Sequence, residues 1–403
     1  MRRIISPAVA ASALLAAFTA IAAQENNPKR PELPTPADTN SWQVYYDQGT
    51  RWLATDPEKA ADAFQWASKL EPTRPEPYFG RRIALLTENP RRLLRYWRAD
   101  KSTVRSKEIQ QIDSLYLQAL TLNPFFGHEL DRFMLRGIIH ELAESMSPGS
   151  GVSSGELRMM LDQSINSASP SLRAWVAYTE GDYDDAEHFY DQAIGQARSK
   201  REKASLLTDR GRLYFQRGKS DLALADLTQA LDEMRKADAK DLIYVYESKA
   251  LAEQSVGIIQ KRLGNTTAAR EAFARSLQED LSYAPAHVET AMLALDAKDT
   301  VTALSEMDLA VQIKPADAGL RYLYGFTLSE VGRPAEAQQQ LEKAVALDPV
   351  YAAPRFALAK VLEAQKKPQE AAASYRAFLS VAAQNDLRRN EAEARVTALA
   401  TAQ

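Results

Sequence analysis

The sequence predicts an all-α protein, a solenoid of stacked helix-turn-helix units, and three observations carry that prediction. First, a 34-residue unit recurs four times without a gap over residues 250–383: Ala269, Ala303, Ala337 and Ala371 stand 34 apart, and other columns move with them. Four residues after each alanine comes a large side chain (Phe273, Met307, Leu341, Tyr375); seven after come Ser276, Ala310, Ala344 and Phe378; twelve before come the small Gly257, Ala291, Gly325 and Ala359. Second, only 16 of 403 residues are glycine, and long stretches are rich in Ala, Leu, Glu, Gln, Arg and Lys, which favours helix over strand throughout. Third, 45% apolar and 26% charged residues is the composition of a chain that folds rather than one that stays disordered.

Taken in order, residues 1–22 have the form of a signal peptide. Arg2 and Arg3 precede an apolar, Ala-rich stretch, and Ala20, Ile21 and Ala22 supply the small-x-small pattern of a cleavage site, so cleavage is expected after Ala22 or Ala23. The competing expectation, a retained anchor, is opposed by Ser6, Pro7, Ser12 and Thr19, and no stable membrane span is expected after cleavage. Residues 23–40 hold Pro28, Pro31, Pro34 and Pro36 and predict an extended linker.

Residues 41–146 predict degenerate N-terminal repeats. Trp42, Tyr45, Tyr46, Gly49, Trp52 and Leu53 have helical spacing, then Asp56 caps and Pro57 starts a second helix that stops before Pro72. This hairpin matches the later ones if its first helix is moved by one residue. Residues 78–86 and 90–97 give a further pair in which the small column is lost; Ile112, Tyr116 and Ala119 resume the pattern, and residues 125–146 predict another helix. The Ser- and Gly-rich run 147–155 is the best internal break and predicts a hinge loop. Residues 156–383 form the regular array, opening with a helix over 156–168. Within it, residues 238–249 are inserted and carry Ile243, Tyr244 and Tyr246, which predict a lengthened helix. Residues 384–403 predict a C-terminal capping helix, with Asn385 as its cap and Arg388, Arg389, Glu391, Glu393 and Arg395 as a solvated face.

These columns resemble the tetratricopeptide repeat. The clearest copy opens at Ala318 and carries Gly325, Leu328, Ala337, Leu341, Ala344 and Pro349; copies opening at Ser167, Ala204, Ala250, Ala284 and Ala352 match less completely. Leu281 stands where one copy should have its proline, and the bulky Phe378 takes a small position. The resemblance is strong over residues 167–383 and weak over 41–124. It implies a right-handed superhelical solenoid in which the first helices of successive repeats line a concave groove for a protein or peptide. Carried over by position, that groove comprises Arg212, Phe215, Gln254, Ile258, Lys261, Val288, Met292, Tyr322, Phe326, Phe356 and Lys360. Apolar side chains there would supply burial, and arginine and lysine would fix orientation.

Chemistry beyond binding finds little support. Cysteine is absent, which removes disulfides, thiol catalysis and thiolate zinc sites, and the four histidines are scattered. His128-Glu129 and His140-Glu141 open like a zinc-protease helix, but Arg132 and Glu144 stand where the second histidine is required. Residues 151–155 match the literal string of a nucleophile elbow, yet a helix and Ser-Pro-Gly precede them instead of a strand. Gly218-Lys219-Ser220 ends like a phosphate-binding loop, but Leu213 replaces the glycine it needs. Asn265-Thr266-Thr267 is a glycosylation sequon only in a eukaryotic secretory setting.

A net charge of −3 gives no reason to expect nucleic acid. One local charge stands out: Arg91, Arg92, Arg95 and Arg98, interleaved with Tyr96 and Trp97, form either a solvated helix surface or a patch for an anionic cell-envelope polymer. The expectation is therefore a non-enzymatic protein-protein interaction scaffold without metal or cofactor, exported to a bacterial periplasm or, alternatively, secreted. An envelope-assembly or polysaccharide-binding role for the arginine-rich part is the second reading.

Overall fold

The computed structural model describes residues 30–89, 93, 107–148, 150–165, 167–236 and 248–401. The expected signal peptide, the start of the linker, the four arginines 91, 92, 95 and 98 and most of the insertion 238–249 lie outside these. Among the described residues there are nineteen helices and no strand. Six hairpins follow one another in the array: α7 (Pro170–Glu180) with α8 (Tyr183–Gln196), α9 (Lys200–Gln216) with α10 (Ser220–Lys236), α11 (Lys249–Arg262) with α12 (Thr266–Glu279), α13 (Ala284–Asp296) with α14 (Thr300–Ile313), α15 (Ala318–Glu330) with α16 (Pro334–Leu347), and α17 (Ala352–Ala364) with α18 (Pro368–Val381). The helix α19 (Arg389–Thr401) closes the stack. Upstream stand α1 (Trp42–Trp52), α2 (Pro57–Leu70), α3 (Pro75–Glu88), α4 (Lys107–Leu122), α5 (Asp131–Met146) and α6 (Ser154–Ile165).

Local chemistry sets the helix ends. Ser199, Ser248, Asp299 and Asp317 each accept a hydrogen bond from the backbone N–H three residues on, which satisfies an otherwise orphaned donor at the start of the helix. Between the two helices of a repeat the chain passes through the left-handed region at Gly264, Lys298, Gly332 and Lys366, 34 residues apart, with φ of 80°, 60°, 75° and 59°. A side chain in that region costs roughly 1–2 kcal/mol, so the two lysines carry a strain their glycine counterparts avoid. Lys298→Gly should therefore raise the stability by about 1 kcal/mol, read as a higher urea midpoint. An unchanged or lower midpoint would mean that the turn is not strained.

Inside each hairpin the small column exists because a large side chain presses on it. A Cβ built on Gly257 would lie 2.3 Å from Phe273 Cε1, and one on Gly325 would lie 2.7 Å from Leu341 Cγ. The N-terminal hairpin repeats this contact: a Cβ on Gly49 would meet Phe64 Cε1 at 3.1 Å, one residue out of the later register, as the sequence requires. Gly80 presses on the same ring, where an added Cβ would lie 2.6 Å from Phe64 Cδ1. This contact runs to the preceding helix rather than the following one, so it lies outside the repeat column.

Three boundaries also move. The helix expected from residue 125 begins at Asp131, because Asn123 Oδ1 accepts from Phe125 N–H at 2.9 Å and holds a turn. The helix α6 begins inside the expected hinge loop, where Ser153 and Glu156 exchange side-chain-to-backbone bonds of 3.0 and 3.2 Å as a capping box. At the far end α19 starts at Arg389 rather than near Asn385, and it is not solvated all round: Ala392 is buried, and Val396 and Leu399 pack on Phe356, Tyr375 and Phe378. Phe378, at a small position, is fully buried between Phe356 and this closing helix.

The largest departure from a simple solenoid is the course of the N-terminal helices. They turn back and run along the array in the opposite direction. Asp38 Oδ2 accepts from Gln384 N–H at 2.6 Å and Asn40 Nδ2 donates to Ser380 O at 3.2 Å; further on, Thr73 meets Gly319, Gln118 Oε1 accepts from Lys314 Nζ at 3.3 Å, and Pro124 O accepts from Arg212 Nε at 3.1 Å. One continuous core holds the two parts together, with Phe79, Ile83, Leu120 and Phe126 from the N-terminal block against Ala250, Leu251, Tyr283 and Ala286 of the array.

Candidate functional site

The first helices of the repeats (α7, α9, α11, α13, α15, α17) present one face to the N-terminal block, and it divides the expected groove in two. On the covered side, Arg212 is buried and donates to Pro124 O, with Nη1 paired to Asp209 at 3.1 Å. Gln216 Nε2 donates to the carbonyls of Phe125 and Phe126 at 3.2 and 3.1 Å, and Gln254 Nε2 donates to Thr121 O at 3.5 Å while its own oxygen accepts from Tyr283 at 2.6 Å. Phe215 stacks on Phe125 with ring centroids 3.9 Å apart. The expectation that Arg212, Phe215 and Gln254 line an open groove is therefore corrected: the turn of residues 121–126 already occupies them. Sequence reasoning missed Gln216, which binds two of these carbonyls. The run Asn123-Pro124-Phe125-Phe126, an apolar turn sequence after a helix, was the available signal.

Beside this turn lies a buried polar junction. Asp131 Oδ2 stands 3.3 Å from His128 Nδ1 and accepts from Trp175 Nε1 at 3.4 Å, with Arg82 Nη1 at 3.9 Å from its other oxygen. His128 lies flat on Phe126, 4.7 Å between centroids. Burial pushes the Asp209 carboxyl up, against the pull of Arg212 and His128, and pushes the Tyr116 hydroxyl up to about 12. Among the described residues His128 Nε2 has no hydrogen-bond partner. The visible role of the junction is to join the block to α7. Among the described residues no group of three His, Cys, Asp or Glu is placed to hold a metal ion. Ser153, the serine of the elbow-like string, caps α6.

Of the remaining groove residues, Ile258 packs on the cluster that holds Phe125 and Phe215. Tyr322 is half-buried against Tyr351, and Phe356 is buried between Tyr375 and Phe378 with Arg388 and Lys360 each 5.8 Å from its ring centre. Ile258, Val288 and Met292 are half-covered, and Phe326 remains 36% exposed. Lys261 and Lys360, exposed, flank this strip and pair with Glu289 at 3.0 Å and Glu391 at 3.5 Å. The chain thus leaves open a row of apolar side chains on successive first helices, bounded by lysines. No described helix is long and apolar enough to cross a membrane.

The tetratricopeptide-repeat family model matches residues 171–240, 257–318 and 327–386. The chain is a tetratricopeptide-repeat protein. These matches coincide with the array α7–α18, where the 34-residue columns are regular. Among solved structures, the repeat protein is similar to MamA from Desulfovibrio magneticus RS-1, at 20% identity over 44% of this chain and 94% of that one, with a TM-score of 0.38. It is also similar to YrrB, described as a TPR protein with an unusual peptide-binding site, at 18% identity over 49% of this chain and 93% of that one, TM-score 0.38. No curated protein matches the chain.

Proposed function

We propose that this tetratricopeptide-repeat protein is a non-enzymatic scaffold that works outside the cytoplasm and binds a protein or peptide along the open strip of its array. The observation that carries the reading is the strip itself: Ile258, Val288, Met292 and Phe326 on three successive first helices, with Lys261 and Lys360 at its margins. A partly exposed aromatic among half-buried aliphatics offers an anchor site for a partner's apolar side chain, and the lysines would favour an acidic flank on that partner. Export rests on Arg2, Arg3 and the apolar residues 4–22, and agrees with a chain that carries no cysteine to misoxidise.

A photo-crosslinking residue placed at Phe326 and, as a control, at Met160 on α6 tests the strip. Crosslinks to a discrete partner are expected from position 326 alone, and they should disappear when Met292→Asp is added. Equal crosslinking from both positions, or products insensitive to Met292→Asp, would overturn the assignment. Crosslinks recovered only from the cytoplasmic fraction would overturn the export half of the proposal.

A further inference from the structure

A second feature lies away from the strip, on the seam between the N-terminal block and the array. A crevice of about 840 Å³ opens there, lined by Lys69 of α2, Tyr78 and Arg81 of α3, Gln118 of α4, Lys314 after α14 and Asp348 after α16. That volume falls within the range of small-ligand sites. It exists only because the block is docked, since each part supplies one wall.

The polar groups of this crevice are left incomplete by the protein. Lys69, Arg81 and Lys314 form no ion pair among the described residues; Lys314 Nζ donates only to Gln118 Oε1, and Arg81 Nε is out of solvent with no acceptor. Asp348 is 8% exposed and its Oδ1 has no donor. Asp317, the other carboxylate on the wall, is already engaged in capping α15 at 3.0 Å. Solvated surface lysines without partners are ordinary, whereas a buried guanidinium N–H and a buried carboxylate oxygen both lacking partners are costly. Pro72, Pro315, Pro349 and Tyr78 add flat apolar faces to the wall, and prolines have no N–H. An anionic group answers the three cations, a hydroxyl answers the Asp348 carboxylate on the wall, and a ring with C–H faces answers the prolines and tyrosine.

We propose that this crevice binds an acidic carbohydrate, its carboxylate or phosphate among Lys69, Arg81 and Lys314 and one of its hydroxyls donating to Asp348. Folding disfavours the charged form of Asp348 here. Burial raises its carboxyl to about 6, opposed by Lys69 and the Val350 N–H, so at neutral pH the group is held charged in a place that disfavours charge. Because the folded value lies above the unfolded one, that penalty is full above pH 6 and fades as the pH falls towards 4. Asp348→Asn should accordingly melt higher than the parent at pH 7.5, with the gap closing near pH 4, while losing ligand. A purely structural aspartate would do the reverse.

Titration calorimetry on the full-length protein tests the site with trigalacturonate and glucose 6-phosphate as probes and maltotriose and inorganic phosphate as controls. Saturable binding of either acidic sugar, at least tenfold tighter than both controls, is expected, and which of the two binds identifies the carboxylate or the phosphate as the natural anion. Arg81→Gln and Lys314→Gln should each weaken it tenfold or more, with both variants still fully folded by circular dichroism at the titration temperature. Asp348→Asn should erase the preference for a sugar acid over inorganic phosphate. The proposal fails if neither acidic sugar binds, if phosphate binds as tightly as glucose 6-phosphate, or if Arg81→Gln binds as the parent does. Crosslinking at Phe326 is independent of these residues, so the two readings stand or fall separately.

Discussion

Leu341→Asp is expected to cost more than about 4 kcal/mol and to lower the urea midpoint far below that of the parent, because it places an unpaired carboxylate where no water reaches. Leu341 is fully buried among Leu328, Ala337 and Val361, and its Cγ lies against the Gly325 backbone. No cation stands in that cluster to pair with the new charge, and the glycine side offers only backbone already bonded in α15. In a repeat array each hairpin is held mainly by its neighbours, so the loss should spread to the hairpins on either side. Leu387→Asp is the matched control, at a residue 95% exposed, and should leave the midpoint within about 0.5 kcal/mol. Equal midpoints for the two variants would show that the 34-residue register is misplaced.

Thr73→Cys combined with Gly319→Cys is expected to give a disulfide that forms under mild oxidation and raises the stability by about 2–4 kcal/mol relative to the reduced form. A Cβ on Gly319 would stand 3.4 Å from Thr73 Cγ2, which places the two new sulfurs within bonding reach, and the chain has no cysteine to compete. The bond would tie the turn between α2 and α3 to the first turn of α15 and close a loop of more than two hundred residues, which in the chain-entropy account favours a large effect. A pair that stays reduced, or that oxidises without raising the melting temperature, would contradict the docking of the N-terminal block. Partner capture at Phe326 should survive oxidation, since the strip is open while the block is in place.

The array was legible because its physics is local and periodic. A glycine or alanine twelve residues before another alanine, with a large residue four after it, states that two helices touch closely, and Gly257 with Phe273 does so without reference to anything distant. Gly80 escaped notice because the spacings around residues 41–124 drift, so the contact with Phe64 belongs to no column. The covered half of the groove was not legible for a different reason. Arg212, Phe215 and Gln254 occupy groove positions and do the chemistry a groove does, binding main-chain carbonyls and stacking on an aromatic ring; only the structure shows that the peptide they bind lies 88 residues or more away in the same chain. The crevice was invisible for a similar reason: Arg81 and Asp348 line it from parts of the chain with no relation in sequence.

The reversed course of the N-terminal helices has a consequence for how the molecule is made. The side of the block carrying Phe79, Ile83 and Phe126 is synthesised well before Tyr283 and Ala286, which cover it. At about 5–20 residues per second, roughly 8–40 seconds separate the two events during translation. The clasp of Asp38 on Gln384 must wait for almost the whole chain, since it joins residues 346 apart. A growing chain of this design presents an unfinished apolar surface for as long as the ribosome takes to write the array.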